Sequence, residues 1–93
     1  MFLKAAGSKL VVIEFTAKWC GPCKRISPLI HAMSLQYKDV IFANVDVDES
    51  QELAETYNIK AVPTFQLFKQ TRTIFEMCGA DVKTLEAKIR ELM

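Results

Sequence analysis

The sequence predicts an α/β fold, a central mixed β-sheet flanked by helices on both faces. Three observations carry that prediction. Residues 10–16 (Leu-Val-Val-Ile-Glu-Phe-Thr) form a nearly continuous apolar, β-branched run, the pattern of a strand covered on both faces. Residues 40–47 form a second such run after a helical stretch, so strand, helix and strand make a parallel unit with a right-handed crossover. Residues 64–69 and 73–78 are joined only by Gln70-Thr71-Arg72, a link short enough to force an antiparallel hairpin. The first strand is expected inside the sheet.

Taken in order, residues 2–6 read as the tail of a helix, ended by Gly7-Ser8 in the manner of a C-cap. The 10–16 strand follows. A long helix then starts at Gly21-Pro22, where proline pre-sets a helical φ and needs no N–H donor, and runs to about Tyr37. Pro28 lies inside it and is expected to kink it. After the 40–47 strand, Asp48 and Gln51 make a capping pair for a short helix over about 49–57, which Asn58 can end. Ala61-Val62-Pro63-Thr64 is a junction where proline restricts two residues. The hairpin turn lacks the Gly or Asn such turns favour. Asp81 caps a last helix with Val82, Leu85, Ile89 and Leu92 on one face and Glu86 and Arg90 outside it at i,i+4.

Ninety-three residues suffice for one domain with one modest core. The net charge of +1 supplies no field to draw nucleic acid or an anionic membrane, so neither is expected as a partner. No run approaches the roughly 18 apolar residues that span a bilayer. The start is too short and too weakly apolar for a signal peptide. Three cysteines are too few for a disulfide-stapled secreted scaffold. The expected compartment is therefore reducing and cytoplasmic.

The chemistry centres on Trp19-Cys20-Gly21-Pro22-Cys23. Two cysteines at this spacing, between a strand and a helix, form a redox signal in a chain of this kind. At a helix N-terminus the Cys20 thiolate is favoured by the dipole and by free backbone N–H groups, including that of Cys23. Cys23, one turn on, is expected to be buried and protonated. Zinc, the other use of the motif, wants four ligands, and only Cys78 and His31 remain to supply them. Glu14 is a carboxylate in an otherwise apolar strand; burial raises its pKa, so it is a candidate to take the Cys23 proton, directly or through water. His31 lies more than two turns past Cys23 and is expected to take no part in catalysis. Cys78 is expected to be a small buried hydrophobe rather than a reactive thiol.

The set Trp-Cys-Gly-Pro-Cys-Lys at 19–24, Pro28, Val-Pro-Thr-Phe at 62–65 and Gly79-Ala80 resembles thioredoxin, over about residues 2–93. Residues 9–15, 44–48 and 85–92 are most similar to animal thioredoxins. His31-Ala32-Met33-Ser34 and Cys78-Gly79-Ala80-Asp81 look more like the male-germ-cell variants. The resemblance implies a single thioredoxin domain over 1–93 that reduces protein disulfides through a mixed disulfide. Cys20 would attack and Cys23 resolve. Trp19 would cover the dithiol, with Gly21 and Pro22 between the cysteines at the substrate surface. A cis Pro63 would pack against the pair, the Val62 backbone would pair with substrate, and Gly79 would line the same groove. No cofactor would be bound; thioredoxin reductase would pass electrons from NADPH. A germ-cell organelle such as the Golgi is the alternative location.

Three departures from the family are visible. The buried acid is Glu14 where the family usually has Asp, and disulfide isomerases of the secretory pathway carry Glu there. A disulfide isomerase or oxidase is therefore the rival enzyme, and a non-catalytic binding module is the rival outside enzymology. Ser50, Tyr57 and Ala61 occupy positions where animal thioredoxins carry extra cysteines, so regulation through those should be absent. The family's first edge strand and most of its first helix have no counterpart beyond a tail at 2–9. The domain is thus expected to be N-terminally shortened, with an exposed 40–47 edge, lower stability and a monomeric or weakly edge-dimerised state.

Overall fold

The computed structural model describes residues 6–93. Seven elements follow one another: β1 (Val11–Thr16), α1 (Gly21–Gln36), β2 (Ile41–Asp46), α2 (Gln51–Thr56), β3 (Thr64–Lys69), β4 (Arg72–Cys78) and α3 (Val82–Leu92). The expected helix tail at 2–6 lies, but for Ala6, outside the described residues; Gly7 next to it takes a left-handed φ of 63°.

The four strands form one mixed sheet in the order β2-β1-β3-β4. β1 pairs with β2 in parallel, Glu14 opposite Asn44, and with β3 antiparallel, Glu14 opposite Phe65. The strand predicted to be interior is so, and the β2 edge has no further strand beside it among the described residues. Alternation along the strands makes two cores. On one face Val12, Phe65 and Leu67 pack with Ile26, Ile30 and Met33 of α1 and with Leu85 and Ile89 of α3. On the other, Val11, Ile13, Phe15 and Phe68 meet Tyr57 and Ile59 at the end of α2.

Side-chain hydrogen bonds tie α1 to α3. The Tyr37 hydroxyl at the end of α1 donates to Glu86 Oε2 at 2.7 Å and accepts from Arg90 Nε at 2.7 Å. α1 runs through Pro28 as one helix of 16 residues. The ring removes one helical hydrogen bond, and the carbonyl it frees belongs to Lys24, on the exposed side where water reaches it.

Two local expectations are corrected. The short helix starts at Gln51, later than about 49, and its N-cap is Ser50 with no side-chain cap bond. Asp48 does not cap it. Asp46 Oδ1 accepts from the backbone N–H groups of both Asp48 and Glu49, at 2.8 and 3.2 Å, so the turn is closed one step earlier. The hairpin loop is only Gln70-Thr71, both at positive φ (52° and 70°), and β4 begins at Arg72. Two successive left-handed residues match the twist of the flanking strands, which explains how a turn without Gly or Asn closes here.

Candidate active site: the Cys20–Cys23 pair

β1 carries the chain to one end of the sheet, and Ala17, Lys18 and Trp19 lead from it into α1. Cys20 is the N-cap of α1, with extended backbone (φ −84°, ψ 108°), and proline occupies the first turn. Its sulfur accepts the backbone N–H of Cys23 at 3.1 Å, where a cap residue normally offers an oxygen. The two cysteines form a disulfide, with Cα atoms 5.3 Å apart. Cys20 and Cys23 are both buried (3% and 2% exposed) and form a small apolar cluster with Ala17, against which Val47 and Val62 pack. Gly21 and Pro22 are exposed on the first turn.

The remaining residues singled out in the sequence fall into three groups. The first connects through Val62, which packs on the pair. The Val62–Pro63 peptide bond is cis, and Pro63 is buried. Gly79, at φ 101°, donates its N–H to the Pro63 carbonyl at 2.9 Å, so the two residues are locked together. That φ lies where side chains are disfavoured and glycine is not. Trp19 is 70% exposed, so it is not a core residue. Its indole Nε1 donates to Asp48 Oδ2 at 2.9 Å, and its ring borders a shallow hollow with Val47, Ile59 and Val62.

Cys78 stands alone. It is exposed, contrary to the expectation of a buried hydrophobe. The reason is the alternation along the outer strand β4: Phe75 and Met77 turn toward the core and Ile74, Glu76 and Cys78 away from it, and the Cys78 sulfur lies 3.5 Å from the hydroxyl of its partner Thr64.

Glu14 is the third case. It is buried, 6% exposed, on the face of β1 beneath α1. Burial pushes its carboxyl above the usual value. It lines a cavity of about 230 Å³ together with Ser27, His31, Ser34 and Asn44. Cys23 opens into a different cavity, of about 400 Å³, with Lys24, Ser27 and Asp46. Glu14 and Cys23 thus border different cavities, with Ser27 on both. His31 is exposed on the outside of α1 yet borders the Glu14 cavity. The sequence shows Asp46 only as the end of a strand, and its place beside Cys23 depends on the β2 turn; Ser27, four residues past Cys23 on one helix, carries a legible signal that was missed.

Among the described residues, no group of three or more His, Cys, Asp or Glu side chains is arranged to hold a metal ion. No helix there is long and apolar enough to cross a membrane.

A Cys-x-x-Cys disulfide at the start of a helix, set against an α/β sheet, is the reactive centre of a thiol–disulfide oxidoreductase. The thioredoxin family matches residues 2–91. Human "Thioredoxin domain-containing protein 8" is 51% identical, over 99% of this chain and 90% of its own length. Human "Thioredoxin" is 50% identical, over 98% of this chain and 87% of its own. The X-ray structure of Fasciola hepatica thioredoxin superposes with a TM-score of 0.97 at 34% identity, over 99% of this chain and 88% of that one. The chain belongs to the thioredoxin family, and its activity is that of a protein-disulfide oxidoreductase.

Proposed function

We propose that the chain, as one domain over residues 1–93, reduces disulfides in other proteins by two successive thiol–disulfide exchanges. The Cys20 thiolate attacks one sulfur of a substrate disulfide. The substrate S–S bond breaks, one substrate thiolate leaves with the electron pair, and a Cys20–substrate mixed disulfide forms. Cys23 then loses its proton, attacks the Cys20 sulfur and expels the second substrate thiolate. The Cys20–Cys23 disulfide is the product, and the substrate takes up two electrons and two protons. Glu14 accepts the Cys23 proton: a carboxylate with its pKa raised by burial is a better base than an ordinary one.

The observation that carries this reading is the Cys20–Cys23 disulfide on the first turn of α1, with Val62 packed on it and the cis Pro63 next in the chain. Trp19, Gly21, Pro22, Val62, Pro63 and Gly79 form the surface on which substrate docks. An extended substrate segment pairs with the Val62 backbone, in the way an added strand pairs with a sheet edge. A NADPH-dependent thioredoxin reductase returns the disulfide to the dithiol, and the protein itself binds no cofactor. It acts in the cytoplasm as a monomer, with weak pairing through the β2 edge at high concentration.

The test is reduction of insulin disulfides coupled to thioredoxin reductase and NADPH. The wild type is expected to turn over, and Cys20→Ser to fall to background. Turnover surviving in Cys20→Ser overturns the assigned nucleophile. One observation favours a second reading: Glu14 is the acid expected of a disulfide isomerase. Thioredoxins lie near about −270 mV and disulfide isomerases near about −180 mV. A glutathione titration giving the higher potential replaces the reductant by the isomerase.

A further inference from the structure

Cys23, to be deprotonated, and Glu14, to receive the proton, line two different cavities. The Cys23 cavity also holds Lys24 and Asp46; the Glu14 cavity also holds His31, Ser34 and Asn44. Ser27 borders both. It sits four residues after Cys23 in α1, on the same side of the helix, at a spacing that brings Cβ atoms within about 5–6 Å. A serine hydroxyl donates one hydrogen bond and accepts others, and it rotates to suit its neighbours. Asp46 is the other carboxylate beside Cys23, but its Oδ1 is already held by the backbone N–H groups of Asp48 and Glu49. Ser27 is also exposed, so water can complete the path on either side of it.

We propose that Ser27 is the proton bridge between Cys23 and Glu14, and that the Glu14 cavity is the exit by which the proton then reaches solvent. The proposal rests on Glu14 as the final acceptor. In the resolving step the Cys23 S–H proton passes to the Ser27 oxygen or to a water bound there. The Ser27 hydroxyl proton passes on to Glu14. The Cys23 thiolate forms its bond to Cys20 while the Cys20–substrate bond breaks, and the substrate leaves as a thiolate with the electron pair. Glu14 gives up the proton through its polar cavity, and Ser27 ends the cycle unchanged.

The experiment follows the reduced full chain, in a Cys78→Ser background so that the exposed third thiol releases nothing, with 5,5′-dithiobis(2-nitrobenzoate) in a stopped-flow instrument. Attack by Cys20 releases the first thionitrobenzoate, and resolution by Cys23 releases the second. The ratio of the second rate to the first isolates the resolving step. Ser27→Ala is expected to lower that ratio about tenfold, a modest share of the gain general acid–base catalysis supplies. Ser27→Thr, which keeps a hydroxyl, is expected to restore it. Glu14→Gln is expected to lower it at least as far, with Ser27→Ala adding nothing further in the double variant. Three outcomes overturn the bridge: a wild-type ratio in Ser27→Ala, a ratio in Ser27→Thr as low as in Ser27→Ala, or losses that multiply in the double variant. A low ratio in Glu14→Gln beside a wild-type ratio in Ser27→Ala removes the bridge alone. A wild-type ratio in Glu14→Gln removes Glu14 as acceptor and the bridge with it. Circular dichroism of each variant verifies the fold.

Discussion

The helices α1 and α3 begin in the same way geometrically and differently in chemistry. Each has a residue at the N-cap whose side chain accepts a backbone N–H three residues on. In α3 that residue is Asp81, whose Oδ1 accepts from Thr84 N at 3.1 Å and whose Oδ2 accepts from the Thr84 hydroxyl at 2.6 Å. These bonds hold the Asp81 carboxyl below its ordinary pKa. In α1 it is Cys20, whose sulfur is a weaker acceptor than oxygen. A strong cap satisfies the helix and is inert. A sulfur cap gives up some hydrogen-bond energy and places a nucleophile where the helix dipole favours its anion. In this chain the cap position is a choice between stability and reactivity.

The largest expected effect comes from exchanging one kind of cap for the other. Serine is a strong N-cap, so Cys20→Ser should preserve α1. Compared with the reduced wild type, its stability should change by less than about 1 kcal/mol, in either direction. Insulin reduction should nevertheless be lost. Urea titration and the coupled assay read the two properties separately. A large loss of stability along with activity would break the comparison.

Glu14 comes next, because its effect depends on pH. Its folded-state pKa is raised by burial, so between the unfolded and folded values the folded state binds more protons. Stability from this group is therefore full below the ordinary carboxylate pKa and falls as pH rises through the raised one. Glu14→Gln removes the titration. The variant should gain on the wild type as pH increases over that window, by on the order of 1 kcal/mol at the alkaline side. Denaturant midpoints from pH 4 to pH 8 measure it. A difference independent of pH would mean that Glu14 is not held out of water.

Asp81→Ala is the structural counterpart of the Cys20 substitution. Losing the cap should cost about 1 kcal/mol. For a protein of this size that corresponds to about 4–8 °C in Tm. Disulfide reduction at 25 °C should be unaffected, because α3 packs on the core face of the sheet through Leu85 and Ile89, away from the Cys20–Cys23 cluster. Calorimetry and the coupled assay check the two halves of the statement.

The same contrast shows why some of the molecule is legible in the sequence. The 10–16 run announces an interior strand because burial on both faces demands an unbroken apolar pattern. Gly21-Pro22 and Asp81 announce helix starts because the requirement is local, met within three residues. Cys20 and Cys23 are legible for the same reason: their spacing is one helical turn. Properties set by strand register are not local. Cys78 is exposed because β4 is the outer strand and its outward face is left uncovered there, which its neighbours in sequence do not reveal. Which cavity Glu14 and Cys23 each border depends on how α1 lies over β1 and β2. The start of α2 misled because two aspartates, 46 and 48, both offer an oxygen at that turn. Only the structure shows that Asp46 takes the backbone N–H groups and leaves Asp48 for the Trp19 indole.

α2 supplies the smallest predicted effect and the strictest control on the comparison. Its N-cap, Ser50, belongs to the residue class that caps best, yet its side chain makes no cap bond. If cap identity alone mattered, Ser50→Ala should cost as much as Asp81→Ala. If the bond matters, the cost should stay within about 0.5 kcal/mol, the range of surface substitutions that break nothing. We expect the second result. The work at that turn falls to Asp46, whose Oδ1 closes it onto two backbone N–H groups before the helix begins. Asp46→Ala should accordingly cost more than Ser50→Ala, by about 1 kcal/mol. Urea midpoints for the two variants decide it. Equal costs would return the start of α2 to the cap that residue type alone suggests.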